Sequence, residues 1–279
     1  MIGVVGLGRT GAPIAENLRA RGHEVLGYRR TAAAGQAASL AELAERCALI
    51  LTVLPKGALA DVAAELAPHV GGGHTVIELG SHPLADKRAA AARLGAAAFV
   101  DGEVSGTPAM TAARTAVILL AGPRDACEPA LPVLRDATAH AYYVGDFGAA
   151  TQLKLIANHL VAVHTAAAAE AMLLVERSGI DPVLAIEVLG LGAGSSTMWK
   201  ARAPSMHARA FVDPAPGPVA MLAAYLDPIH ELAAGAGVPV TLFTAAAALY
   251  QSALAGGRAH HDIGCVIEVM TELLEKGSP

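Results

Sequence analysis

The hexapeptide Gly6-Leu7-Gly8-Arg9-Thr10-Gly11 constrains the fold more than any other part of this chain. It satisfies the pattern G-x-G-x-x-G, follows the apolar run IGVVGL directly and opens the helical stretch GAPIAENLRARG. The glycine spacing alone is weak, but a strand before it and a helix after it are the context in which such a turn holds a dinucleotide. Gly6 permits the tight turn, Gly8 lets the backbone approach a pyrophosphate, and Gly11 allows the helix to pack closely on the strand. The turn from Gly6 to Gly11, with Leu7, Arg9 and Thr10 between the glycines, is the candidate phosphate cradle. Free N–H groups and the positive end of the helix dipole face the phosphates there.

The rest of the first half fits that start. Apolar runs at 23–28, 48–54, 75–79, 97–104, 117–122 and, more weakly, 142–145 alternate with helical segments. Strands that are apolar throughout, each followed by a helix, predict a parallel sheet covered on both faces, the doubly wound α/β fold. Past about residue 148 the strand signals stop and the chain reads as helices at 150–177, 181–190, 218–236, 241–255 and 261–275. The segment 190–206, rich in glycine and serine, reads as a loop with short helical turns. The expected organisation is a nucleotide-binding Rossmann domain at 1–148 and an all-α domain at 149–279, joined by a long helix.

Cofactor choice is read about 20 residues past the turn, at the end of the second strand. A site for NAD usually carries a carboxylate there. This chain has Arg29, Arg30 and Thr31 instead. Guanidinium groups hold a 2′-phosphate that a carboxylate would repel, so NADP (NADPH) is expected and NAD is less favoured.

Composition limits the partners. The chain has 279 residues, of which 54 % are hydrophobic and 16 % charged, with net charge −5. That apolar content points to a subunit interface, and a homodimer or higher homo-oligomer is expected. No basic stripe suggests nucleic acid. The alanine-rich stretch 155–175 is interrupted by His159, His164 and Glu170, so no membrane span is expected. No signal peptide is expected either: the first residues show no basic region and no cleavage site. Cys47, Cys127 and Cys265 are widely spaced and form no metal pattern, so a cytoplasmic protein without a metal is expected.

The helix from residue 150 carries one lysine, Lys154, and an asparagine one turn later, Asn158. The two share a helical face. The chain has only five lysines, and arginine is its commoner cation. A lysine with a tuned pKa can pass a proton to a carbonyl oxygen, and the amide can hold a substrate group. A snorkelling lysine at a helix end with a capping asparagine is the plain alternative.

Several motifs together resemble the β-hydroxyacid dehydrogenase family. GLGRTG is similar to its GLGxMG turn, and Gly22-His23 and Arg29-Arg30-Thr31 fall where it has a GH pair and an NRT-like triplet. ILTVLP (50–55) resembles its strand ending in LP, VDGEVSGTPAM (100–110) its DAPVSGG segment, and GAATQLKLIANHL (148–160) its G-x-x-x-x-x-K-x-x-x-N helix. The resemblance spans nearly the whole chain. It implies NADP-dependent hydride transfer between nicotinamide and a small β-hydroxy acid or semialdehyde. Lys154 would be general acid/base, with Asn158 orienting the substrate. It also implies cofactor contacts at Leu54 and Pro55, and substrate carboxylate binding at Ser105, Gly106 and Thr107.

The chain departs from the family in three places. The second glycine of VSGG is Thr107. The strand-four motif is one residue shorter, which leaves Ser81 as the candidate polar contact. The Lys-Asp pair of a late helix falls on Ala224-Tyr225. Tyr225 supplies a replacement hydroxyl or is a core tyrosine; Trp199 walls the substrate pocket or packs. Two other functions stay open: an NADPH-dependent imine reductase, whose family shares the architecture, and a non-catalytic NADP-binding protein.

Overall fold

The computed structural model describes residues 1–31, 33–212, 215–275 and 277. The chain forms two compact units, Met1–Lys154 and Leu155–Pro279.

In the first unit seven strands form one sheet: β1 (Ile2–Val5), β2 (Val25–Tyr28), β3 (Leu49–Thr52), β4 (Thr75–Glu78), β5 (Ala98–Ser105), β6 (Val117–Ala121) and β7 (His140–Gly145). Their order is β2-β1-β3-β4-β5-β6-β7. Helices α1 (Gly11–Ala20), α2 (Leu40–Arg46), α3 (Leu59–Leu66), α4 (Leu84–Leu94), α5 (Pro108–Ala112) and α6 (Arg124–Ala137) intervene. Successive strand residues serve opposite faces, as a pleated strand requires. Val4, Leu51, Ile77 and Val100 pack with Ile14 and Leu18 of α1 and Leu131 and Leu134 of α6. Their neighbours Val5, Ile50, Val76 and Phe99 pack with Leu40 of α2, Leu59 and Leu66 of α3 and Leu94 of α4. This is the doubly wound sheet expected from the unbroken apolar runs.

One pairing corrects the expectation of a fully parallel sheet. β5 and β6 run antiparallel, with Asp101 opposite Ala121 and Ser105 opposite Val117. The segment between them holds only the five-residue α5, which is too short for a parallel crossover. The chain therefore doubles back before α6 carries it in parallel to β7.

Helix α7 (Ala149–Arg177) starts in the first unit and runs on into the second, followed by α8 (Pro182–Leu191), α9 (Thr197–Ala208), α10 (Val219–Ala223), α11 (Leu226–Gly235), α12 (Thr241–Ala255) and α13 (Val266–Glu275). The second unit's core gathers Ala162, Ala169 and Met172 of α7 with Trp199, Met206, Phe243, Tyr250 and Val266. The buried Tyr250 hydroxyl donates to the Ala162 carbonyl at 3.0 Å. Among the described residues α7 alone is long and apolar enough to cross a membrane by length and composition. Its alanines are part of a protein core, which is the ordinary reason for such a helix in a globular domain.

The segment 190–206 is another correction. It is mostly helix α9, nucleated where the Ser196 side chain accepts the Trp199 N–H at 2.9 Å. That bond is an N-cap, and it outweighs the turn signals and the internal Pro204. The predicted helix 218–236 is two helices, α10 and α11, joined at Ala224-Tyr225.

Candidate active site

The strand order reverses at β1, which has β2 on one side and β3 on the other, and ligands bind such sheets beyond the carboxyl ends at the reversal. A pocket of about 620 Å³ lies there, lined by Gly6, Leu7, Gly8, Tyr28, Arg29, Arg30, Leu54, Pro55 and Lys56, with Asp61 and Glu65 on its α3 wall. The turn after β1, the cations after β2 and the loop after β3 therefore share one cavity.

The glycines are there for steric reasons. Gly6 has φ +95°, and a Cβ on it would sit 2.2 Å from the Val53 carbonyl oxygen. A Cβ on Gly11 would sit 2.0 Å from the Gly6 oxygen, whereas one on Gly8 would meet nothing within 4 Å. Gly6 and Gly11 close the turn on the protein, and Gly8 leaves its outer side open. That is a cradle for a pyrophosphate. Arg9, Thr10 and Thr31 do not line the cavity, and Gly11 lies buried beneath the turn.

A second group of residues surrounds the start of α7. Lys154 is half-buried and its Nζ donates to the Val104 carbonyl of β5 at 2.9 Å. Burial lowers its pKa, and the charge of Glu103 opposes that. Beside it, Lys87 of α4 is fully buried and donates to Asp101 Oδ1 (2.9 Å), the Gly102 carbonyl (2.8 Å) and Glu103 Oε1 (2.9 Å). Asp101 also accepts from Thr151 Oγ1 (2.7 Å) and from the N–H groups of Gly148 and Thr151 (both 3.1 Å). A β5 carboxylate thus satisfies the free amides at the start of α7, the end of a helix dipole that favours an anion. Glu103 accepts from the Ser81 hydroxyl at 2.8 Å.

The remaining candidates fall as follows. Ser105 ends β5, Gly106 follows with φ +151°, and Thr107 caps α5 by accepting the Met110 N–H. Asn158 stands one turn after Lys154 on α7, and its buried Nδ2 has no hydrogen-bond partner within the described protein. Tyr225 is half-buried against the second core at the start of α11. Trp199 is 4 % exposed in that core and its indole N–H donates to the Ile186 carbonyl. Trp199 packs; it does not stand in a loop.

Sequence reading passed over Lys87, Asp101 and Glu103. The signal was present: two carboxylates two residues apart in a buried strand point to the same face, and buried charges need partners.

A Rossmann cradle with cations at its rim defines a dinucleotide-binding protein. The model for the NAD binding domain of 6-phosphogluconate dehydrogenase matches residues 1–145. The model described as NAD-binding of NADP-dependent 3-hydroxyisobutyrate dehydrogenase matches 148–270. L-threonate dehydrogenase of Cupriavidus necator is 30 % identical, with 96 % of this chain and 95 % of that protein covered. Among solved structures, 3-hydroxyisobutyrate dehydrogenase of Mycobacterium tuberculosis with L-serine superposes with a TM-score of 0.84 at 24 % identity, covering 96 % of this chain and 98 % of that one. An imine reductase of Aspergillus terreus gives 0.62 at 22 % identity over 96 % and 98 %, a likeness of fold alone. The chain belongs to the β-hydroxyacid dehydrogenase family.

Proposed function

We propose that the protein moves a hydride between NADP(H) and a small β-hydroxy acid or the matching semialdehyde, with Lys154 as proton donor and acceptor. The observation that carries this reading is the state of Lys154: its ammonium donates to a backbone carbonyl and its pKa is lowered by burial. A lysine brought down in this way is a better general acid near neutral pH than an exposed one.

The cradle residues fit the cofactor, since Gly8 leaves open the space that a phosphate would take. Bound there, the nicotinamide supplies the hydride. The protein holds the cofactor with the Gly6–Gly11 turn, Leu54 and Pro55. Arg29 and Arg30 line the same cavity and would pair with a 2′-phosphate, which supports NADP over NAD. In reduction Lys154 Nζ gives its proton to the oxygen of the substrate carbonyl; in oxidation it takes the proton back. Asn158 carries an unpaired buried amide, the kind of donor that a substrate hydroxyl or carboxylate satisfies. Ser105, Gly106 and Thr107 are proposed to bind the carboxylate.

A homodimer or higher homo-oligomer is part of this proposal, supported by the apolar side chains that α7 and α8 expose, Ile156, Leu160, Leu174, Val183, Leu184 and Leu191. A second copy that covers them removes that area from water. Three free cysteines, all buried, support a cytoplasmic setting.

The test is loss of NADPH absorbance with succinic semialdehyde, glyoxylate, tartronate semialdehyde, methylmalonate semialdehyde and a cyclic imine, with NADH as second cofactor. We expect reduction of a semialdehyde, preference for NADPH, and a loss of about 10²–10⁴ in kcat for Lys154→Ala. Turnover of the imine alone, or an alanine variant that keeps its rate, refutes the assignment of Lys154.

A further inference from the structure

The cavity that takes cations from the end of β2 takes two carboxylates from α3. Asp61, Val62 and Glu65 line it together, because residues three and four apart share a helical face. Leu59, Ala63 and Leu66 of the same helix are buried in the core that holds β3. Local helix energetics do not call for the acidic pair. Like charges four residues apart repel. Asp61 stands in the first turn of α3, where the helix dipole favours an anion, but Glu65 stands in the last turn, where the dipole disfavours one. Both residues are exposed, so their carboxylates are within reach of a ligand in the cavity.

We propose that Asp61 and Glu65 read the base of the cofactor: on the α3 wall their carboxylates accept the exocyclic amino group of adenine and so select an adenine dinucleotide. The proposal rests on the reading that this cavity holds NADP(H).

The assignment follows from where the other parts of such a cofactor go. The pyrophosphate belongs at the Gly6–Gly11 turn, and the adenosine ribose belongs at the end of β2, where Arg29 and Arg30 stand. A 2′-phosphate and a pyrophosphate are both anions and would be repelled by a carboxylate. The base is the part of the adenosine half that remains. Leu54 and Val62 pack against one core cluster and line the cavity, which gives a flat ring an apolar seat. Adenine has one donor group, its amino group, and an ionised carboxylate is an acceptor only. A hydrogen bond to a charged acceptor is about twice as strong as a neutral one. Hypoxanthine and guanine carry an oxygen where adenine carries the amino group, and a carboxylate repels it.

The experiment is a titration of the protein with NADPH and with reduced nicotinamide hypoxanthine dinucleotide phosphate, each followed by nicotinamide fluorescence. The analogue changes the base and leaves the phosphates, riboses and nicotinamide as they are. Wild type is compared with the double variant Asp61→Asn/Glu65→Gln. We expect wild type to bind NADPH about tenfold more tightly than the analogue. In the double variant the ratio should fall to about one, because an amide also donates to an oxygen. Removing two negative charges strengthens the binding of any polyanion, so the ratio is the readout and not either affinity alone. If the double variant does not fold, the single variants Asp61→Asn and Glu65→Gln replace it, and the ratio should fall in at least one of them. A wild-type ratio near one, or a ratio that the variants keep, overturns the proposal. Equal binding of the two nucleotides sustains the cofactor reading and refutes the base assignment alone, whereas binding of neither refutes both.

Discussion

Asp101→Ala removes the acceptor of four bonds at once: from Lys87 Nζ, Thr151 Oγ1 and the N–H groups of Gly148 and Thr151. Taking one partner from a buried charge pair costs about 3–5 kcal/mol, because the other charge stays buried. Lys87 keeps Glu103 and the Gly102 carbonyl, which places the loss near the lower limit, about 3 kcal/mol. For a unit of this size that is about 6–12 °C in the unfolding midpoint. The loss should also be local: amide exchange at the start of α7 should speed up well before exchange in β1 and β3. Urea unfolding and hydrogen exchange by mass spectrometry measure both. Asp101→Asn keeps one acceptor oxygen of the same shape and should lose about half as much. An alanine variant within about 1 kcal/mol of wild type, or one whose α7 amides exchange no faster, would show that Asp101 neither pairs Lys87 nor holds the helix.

Three further predictions concern the first unit. Gly8→Ala has open space for its Cβ and should keep wild-type stability, yet bind NADPH at least about tenfold more weakly (about 1.4 kcal/mol) in a fluorescence titration. Gly11→Ala drives a methyl into the Gly6 carbonyl and should lose about 1–3 kcal/mol of stability as well. Glu78 is buried, and its pKa is raised from 4.5 to about 7, mainly by desolvation. A raised carboxyl favours the folded state while protonated, so that stability is complete below pH 4.5 and is lost as pH rises to about 7. The difference is about 3 kcal/mol. Glu78→Gln should flatten urea stability across this window; an unchanged slope refutes the assignment.

The sequence determined the nucleotide half of this protein because its signals are local. Gly6, Gly8 and Gly11 stand between a strand and a helix, and the six neighbouring runs alternate in the same way. Arg29, Arg30, Leu54 and Pro55 follow their strands directly, so a turn at the end of each strand brings them to one cavity. That Lys154 and Asn158 share a helix one turn apart was legible for the same reason, since the spacing of the apolar residues around them is local. Other features depended on contacts distant in sequence. The reversed β6 follows from a connection too short to cross the sheet. Helix α9 forms over turn-like residues because Ser196 caps it and Trp199 is drawn into a core with Phe243 and Tyr250. The partners of Asp101 and Glu103 come from α4, the loop after β4 and the start of α7. A buried charge announces in sequence that it needs partners, and only the packed tertiary structure decides which donors come within reach.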